Sequence, residues 1–240
     1  NTITMIARRL FYIITILVLI ISIHNYNKNN PLLKLEKIII EGAHYLSEND
    51  IRNLIIKDKN LSIFDYDIAE IKQSIEQKLF VKTVKIRIKD FNKLYIQIEE
   101  RVPIALIVDN NKQEFIDIDD TSLPINIKSL NSFPVPVINI EENNLANNDK
   151  KIASSIIKYI LSSYPEMYKN LSEIHVSPSL ITITTDNNTK IYINPNMPLE
   201  NIDKLRDFEK SIKNYKHIDD HQYINLIYDK QVVVKERKYL

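Results

Sequence analysis

The sequence predicts an α+β chain: a single N-terminal transmembrane helix, a β-α-α-β-β unit, and a second, mixed β-sheet domain with two helices. Three observations predict it. An uncharged apolar run extends from Leu10 to Ile23, helical apolar spacing gives way near Val84 to two alternating runs, and beyond Asp109 short strand-like runs are interspersed with two long helical stripes. A chain of 240 residues suffices for two small domains beside a targeting segment.

Composition narrows function before any motif is read. The chain has one glycine, Gly42, and no cysteine. Average usage near ~7% would give over a dozen glycines. Codon bias in an AT-rich genome could produce the same scarcity, but whole classes of site are missing either way: the phosphate-cradling loop, the dinucleotide fingerprint and the nucleophile elbow all need glycines. Absence of cysteine removes disulfides, thiol catalysis and cysteine zinc sites. A net charge of +1 carries no field that points to nucleic acid. No cofactor is expected, and neither is a small-molecule substrate.

The run Leu10–Ile23 is apolar all round, unlike the one-sided face of a surface helix. Its fourteen residues cover about 21 Å; a helix from Met5 to Tyr26 covers about 33 Å and can span a bilayer with Arg8 and Arg9 snorkelling at one interface and Tyr26 at the other. No A-x-A cleavage pattern follows at Ser22–Asn27, so a retained anchor is expected. Lys28, Lys34 and Lys37 balance the arginines, and lysine/arginine bias does not orient the span. The nine-residue head is too short for a cytosolic domain, which places the N-terminus inside and the bulk outside. Residues 1–9 are then a tail, 10–26 the span and 27–34 a linker.

Residues 35–108 form the first module. A strand runs from Leu35 to Gly42, whose backbone is expected at positive φ in a tight strand-to-helix turn. Ser47 reads as an N-cap with Asp50 three residues on and a Leu46/Ile51 staple, opening a helix to about Ile56. A second helix starts at Asp65 or Asp67, the latter with Glu70 in the capping-box position, and places Ile68, Ile71, Ile75 and Leu79 on one stripe. That stripe needs a sheet. Val84, Ile86 and Ile88 alternate with Lys85, Arg87 and Lys89, and across the turn Asp90–Lys93 the apolar Leu94, Ile96 and Ile98 alternate with Tyr95, Gln97 and Glu99. The basic row is read as a solvated outer face beside Glu99.

The one-glycine turn, Asn60-Leu61-Ser62-Ile63-Phe64-Asp65, the hairpin and above all Glu99-Glu100-Arg101-Val102-Pro103-Ile104-Ala105 resemble the POTRA domain of the FtsQ/DivIB family of bacterial cell-division proteins. The resemblance extends from Leu10 to about Lys235. It departs at the hairpin turn, where Phe91-Asn92 replaces a usual Trp-Pro, and at Phe80, where proline is common. Residues 109–237 match the family's second, β-rich domain, leaving 238–240 as a tail. Phe115–Ile118 reads as a strand entering Asp119-Asp120-Thr121 at the family's Asp-x-x-Gly turn, and Phe133–Val137 resembles its Leu-Pro-Val segment. Helices are expected at about Asp149–Tyr164, with Ile152, Ile156, Ile157, Ile160 and Leu161 on one face, and at about Leu199–Tyr215, with Ile202, Leu205, Phe208 and Ile212. Strands near Leu180–Thr184 and Thr189–Ile193 flank the turn Asp186-Asn187-Asn188. A final hairpin joins Tyr223–Tyr228 to Gln231–Lys235 through Asp229-Lys230.

The family's Asp-Leu-Arg-Tyr signature stands here as Asn225-Leu226-Ile227-Tyr228. The resemblance implies a non-enzymatic scaffold at the division septum, anchored by one pass in the bacterial inner membrane. It implies that the POTRA module contacts other divisome components, and that the C-terminal strands bind an FtsB-like partner complexed with an FtsL-like one. The residues implied in that contact are Tyr223, Leu226, Tyr228, Gln231, Val232, Val233, Val234 and Lys235. An edge strand suits the task physically, because its unpaired N–H and C=O groups accept a partner backbone. Two rivals are a POTRA-bearing chaperone or secretion-assembly module and a secreted or anchored hydrolase. The first needs repeated units or a barrel, and the second needs a catalytic set.

No such set emerges. His217 and His221 stand four apart in a polar segment between a helix and a strand, without the glutamate of a zinc-protease pattern, and read as a connecting loop. Asp117, Asp119 and Asp120 lack the glycine and terminal glutamate of a calcium loop. Glu99 and Glu100 are adjacent on a strand and point to opposite faces, and Glu114 completes no pair with them. Neither metal nor catalytic residues are expected.

Overall fold

The computed structural model describes residues 2–29, 34–55, 62–109, 112–140 and 146–238. Asn60 and Leu61 of the POTRA-like motif, the helix end at Ile56, half of the linker and the last two residues lie outside them. The chain divides between Arg101 and Val102 into two units.

The first unit opens with helix α1 (Thr2–Asn29). Its large apolar side chains from Phe11 to Tyr26 are each at least 50% exposed. Over the described residues no helix is long and apolar enough to cross a membrane. Strand β1 (Lys37–Glu41), α2 (Glu48–Ile55), α3 (Ile68–Glu76), β2 (Val81–Lys89) and β3 (Lys93–Glu100) follow in the expected order. The sheet order is β1-β3-β2, with β1 parallel and β2 antiparallel to β3. The hairpin register sets Val84, Ile86 and Ile88 opposite Ile98, Ile96 and Leu94, as the alternation requires. Ile51, Ile55, Ile71 and Ile75 close the core over that face. Asp67 caps α3 by accepting from the Ala69 and Glu70 amides. Leu79 does not continue the stripe: α3 ends at Glu76, the chain turns, and the side chain stands 62% exposed.

Gly42 is needed for two reasons at once. Its φ is +82°, and a Cβ there falls 2.0 Å from the Ile98 carbonyl oxygen of the central strand. Glu100 then holds the loop by accepting from the Tyr45 and Leu46 amides at 2.9 and 2.8 Å, while Glu99 faces outward to Thr83 and Lys82. The two carboxylates thus part company as strand geometry demands. Phe80, in the place of the common proline, packs its ring against that of Tyr45, centroids 4.4 Å apart and planes tilted by 45°. Among the described residues the other left-handed positions fall to Asp90, Phe91, Asp120, Asn188 and Lys230. Asp120 (φ 60°) thereby serves as the missing glycine of the Asp-x-x-Gly turn, with Asp117 accepting from the Asp119 and Thr121 amides.

The second unit comprises β4 (Pro103–Asp109), β5 (Lys112–Asp117), β6 (Ser122–Leu123), α4 (Ile127–Ser132), β7 (Val137–Ile140), α5 (Ala146–Ser163), α6 (Pro165–Lys169), β8 (Leu171–Val176), β9 (Ile181–Thr185), β10 (Lys190–Ile193), α7 (Pro198–Ile212), β11 (His221–Asn225) and β12 (Val233–Glu236). Pro103–Asp109 pairs with β5 and β7, which is why the division falls before the boundary at Val108 read from the sequence. The nine strands are ordered β12-β11-β10-β9-β8-β7-β4-β5-β6. One transverse row crosses most of them in register: Ile107, Ile138, Ile174, Ile183, Ile191, Ile224 and Val234. Ile156, Ile157 and Ile160 of α5 and Ile202 and Leu205 of α7 share its core. Each fully buried isoleucine contributes about 1.5–3 kcal/mol. Two helices appear beyond the two expected. Asn126 and Ser129 form a capping box that opens α4, and Pro165 sits in the first turn of α6. Ile118 ends outside its expected strand, 44% exposed.

At β5 the row meets Glu114, paired with Ile107 and buried. Burial pushes its pKa up, but hydrogen bonds from Lys112, Lys150 and Ser122 carry it down to about 2. A depressed carboxylate stabilises the fold above its ordinary pKa of 4.5, and that contribution is lost as pH falls toward about 2. Chemical denaturation of the second unit followed through this window is expected to show falling stability, and K150M, by bringing the folded-state pKa of Glu114 back toward 4.5, a smaller fall. In the first unit, Gly42→Ala is expected to cost at least about 3 kcal/mol, the sum of a left-handed backbone penalty and a clash with a central-strand carbonyl, read as a lowered melting temperature.

Candidate partner-docking edge

Strand β11 lies parallel to β10 through Lys190↔Tyr223, Ile191↔Ile224 and Tyr192↔Asn225, and antiparallel to β12 through Ile224↔Val234 and Asn225↔Val233. Among the described residues nothing pairs with the far side of β12. Alternation sends Val234 to the core face with Ile224, and Val233 and Lys235 to the opposite face beside Asn225 and Tyr223. The amide of Arg237 donates inward to the Asp220 carbonyl at 2.8 Å. By the two-residue period of an antiparallel strand, Lys235 and Val233 also turn their amides inward, whereas Val234 and Glu236 direct N–H and C=O outward.

The residues expected from sequence divide accordingly. Val233 is 38% exposed, Lys235, Tyr228 and Gln231 are exposed, and Tyr223 is half-buried with its ring 5.9 Å from that of Tyr192. Val232 and Val234 are partly buried against the core. Leu226 is fully buried, so its side chain is a core element and not a contact. Its amide donates to the Tyr192 carbonyl, while Lys204 Nζ donates to the Leu226 and Tyr228 carbonyls and fastens the hairpin to α7.

The sequence reading missed the clamp at the other end. Arg237 Nη2 donates to the Asn187 carbonyl at 2.7 Å and to Thr189 Oγ1 at 3.2 Å, and Lys216 pairs with Glu236. The segment His217–His221 is no simple solvated loop. Its 3-10 turn (Ile218–Asp220) is opened by His217, and Asp219 accepts from Thr185 Oγ1, Asn187 Nδ2 and Asn170 Nδ2. Burial raises the Asp219 pKa, but these bonds win and hold it below the usual carboxylate value. His221 is buried against Phe208. What could have signalled the clamp is the cation placed just past the last strand. Beside β12 lies a groove of about 870 Å³ whose lining includes Asn188, Gln222, Val234, Lys235 and Arg237. Among the described residues no group of three or more His, Asp or Glu is placed to hold a metal. Removing the clamp with Arg237→Met is expected to speed amide exchange of Val233 and Lys235, whose amides turn inward to β11, by roughly tenfold, with little change in the protection of β9 and β10.

Comparison with known proteins agrees with this architecture. Residues 33–101 match the POTRA domain, FtsQ-type. The cell division protein DivIB of Bacillus cytotoxicus is 24% identical over 207 residues, covering 86% of this chain and 76% of that protein. FtsQ of Rickettsia bellii is 32% identical over 95 residues, 40% of this chain and only 36% of that protein. FtsQ of Koribacter versatilis is 22% identical over 209 residues, covering 83% of this chain and 59% of its own length. This chain therefore spans between about a third and under two thirds of the length of these FtsQ relatives. Residues 33–101 thus carry the features of an FtsQ-type POTRA domain, and the chain as a whole is similar to the bacterial cell-division proteins DivIB and FtsQ.

Proposed function

We propose that the chain is a divisome scaffold at the septum of the bacterial inner membrane, which holds an FtsB/FtsL-like pair by accepting a strand against β12. The observation that carries the reading is the free border of β12, where Val234 and Glu236 direct backbone groups outward from a sheet whose neighbouring strand is clamped at both ends. A partner strand laid there gains backbone hydrogen bonds along its length, while Val233, Lys235, Tyr223 and Tyr228 meet its side chains and so select it. Gln231 sits at the hairpin tip and Val232 packs beneath it. Leu226 contributes by holding the hairpin in place.

Helix α1 supplies the anchor in this reading. An apolar belt from Phe11 to Tyr26, exposed on all sides of one helix, is unstable in water and stable in hydrocarbon. Residues 1–9 then lie on the cytoplasmic side as a tail, 10–26 form the span and 27–34 the linker. The POTRA unit (35–108 in the sequence reading) stands outside the membrane with the C-terminal unit, and contacts other divisome components. An anchored partner meets an anchored scaffold at high effective concentration, so a modest interface suffices. The rival readings, a secretion-assembly chaperone or a hydrolase, have no such supporting observation.

Glu236→Pro removes an outward amide and leaves the inward ladder of β12 intact. It is expected to weaken capture of the co-expressed FtsB/FtsL-like pair at least tenfold, whereas Glu236→Ala, which keeps the amide, stays within about threefold of the parent. Equal binding by both variants refutes docking through the β12 backbone.

A further inference from the structure

The hairpin turn between β2 and β3 places an aromatic ring where the fold gains nothing from it. Phe91 is 69% exposed, and its backbone, like that of Asp90, is left-handed (φ 60° and 54°). Around the turn the register gathers cations. Lys37, Lys93 and Lys89 stand side by side in one transverse row on the sheet face away from the core, and Arg87 lies in the next row beside Tyr95 and Ile39. Lys89 Nζ rests 3.9 Å above the Tyr95 ring, which holds its ammonium at the surface. Two carboxylates are close: Asp90 pairs with Lys93 at 2.8 Å, and Glu36 accepts from Asn92 Nδ2 at 2.7 Å. Four cations against two anions leave this end of the face basic. Glu41 stands farther along β1 and accepts from the Tyr95 hydroxyl, at the side of the basic group remote from the turn, and Glu99 lies farther along β3.

The turn is also tethered close to the anchor. The amides of Glu36 and Lys37 donate to the Asn92 carbonyl, which ties the start of β1 to the hairpin turn. Only six residues separate Glu36 from the end of α1 at Asn29, and the seven Cα steps fully extended span at most about 25 Å. If α1 is the membrane anchor, as proposed above and as this inference requires, the turn cannot leave the neighbourhood of the bilayer surface.

We infer that the β2–β3 turn is a lipid-contact element, with Phe91 seated at the headgroup boundary and Lys37, Lys89, Lys93 and Arg87 paired with anionic headgroups. An exposed ring flanked by basic side chains has the composition of an interfacial contact, and each lysine near an anionic surface adds to the attraction. The contact gives the POTRA unit a second attachment and fixes which end of its sheet faces the membrane. Its open edges are then presented sideways to other anchored chains.

The chain contains no tryptophan, so F91W places the sole indole at the turn. The full chain carrying F91W is reconstituted in vesicles of phosphatidylcholine, with or without phosphatidylglycerol, in which acyl chains carry bromine. Flotation after an alkaline wash reads the anchor separately. The expected result is alkali-resistant flotation in both compositions, with blue-shifted, bromine-quenched emission in the anionic vesicles and weak quenching in the neutral ones. Adding K37Q, K89Q and K93Q should lower the ratio of docked to undocked turn by roughly fivefold per lysine. Alkali-resistant flotation with unshifted, unquenched emission in both compositions overturns the turn contact and leaves the anchor standing. Equal quenching in the two compositions overturns the headgroup pairing. Failure to float overturns the anchor, and the turn contact with it.

Discussion

The row from Ile107 through Ile138, Ile174, Ile183, Ile191 and Ile224 to Val234 is the contact on which the second unit depends. Cross-strand packing of branched side chains stabilises a sheet pair by pair, so an in-register row joins seven strands into one cooperative surface for α5 and α7 to cover. Its two ends differ in kind. One end closes on Glu114, whose buried charge is held by Lys112 and Lys150. The other stops at Val234, half-buried, with no strand beyond it among the described residues. A row that ends on an unpaired strand leaves backbone groups exposed at a place that the rest of the row keeps rigid. Rigidity matters for what an added strand gains, because ordering a loose edge on binding subtracts from every hydrogen bond formed.

Natural sheets usually blunt such an edge, and β12 is only lightly blunted. Lys235, Glu236 and Lys238 supply charge, which discourages indiscriminate pairing, yet four residues without proline remain. At the far border the device is brevity, since β6 has two residues. The asymmetry is a physical reason to assign the docking role to one border and not the other. Arg237 and Lys204 reinforce it by pinning both ends of the hairpin to elements inside the sheet unit, so that the border is open without being frayed.

Much of this was legible in advance, and the exceptions have specific causes. In the POTRA unit, strict alternation over Val84–Ile88 and Leu94–Ile98 determines register, and the lone glycine marks a backbone approach that no other residue permits. Leu79 misled because helical spacing continues through it in sequence while the chain has already turned. In the second unit the long stripes of α5 and α7 were readable. Short helices such as α4 and strands such as β8 were not, since five or six residues carry too little periodicity to separate helix from strand. Leu226 was misassigned for another reason: a family signature marks a position without saying whether it acts through a contact or through the core. Arg237 escaped notice because its three acceptors, Asn187, Thr189 and His221, are remote in sequence and converge only when β9, β10 and β11 pair.

A glycine-poor chain must still turn, and how it does so links the two ends of the molecule's proposed work. Left-handed backbone costs a side-chain-bearing residue roughly 1–2 kcal/mol, least for Asp and Asn, whose side chains bond locally. Asp120 and Asn188 meet that preference at turns that shape the second unit, and Asp90 meets it in the first. Phe91 and Lys230 do not, and neither side chain is repaid by burial, for both are exposed. An unrepaid strain at an exposed turn is tolerated when the side chain is useful outside the fold. Both residues lie at hairpin turns, Phe91 beside the lysine row near the tether and Lys230 in the turn that leads into the open border of β12. The two positions where local preference is overridden therefore coincide with the two places where this chain is read as meeting something other than itself.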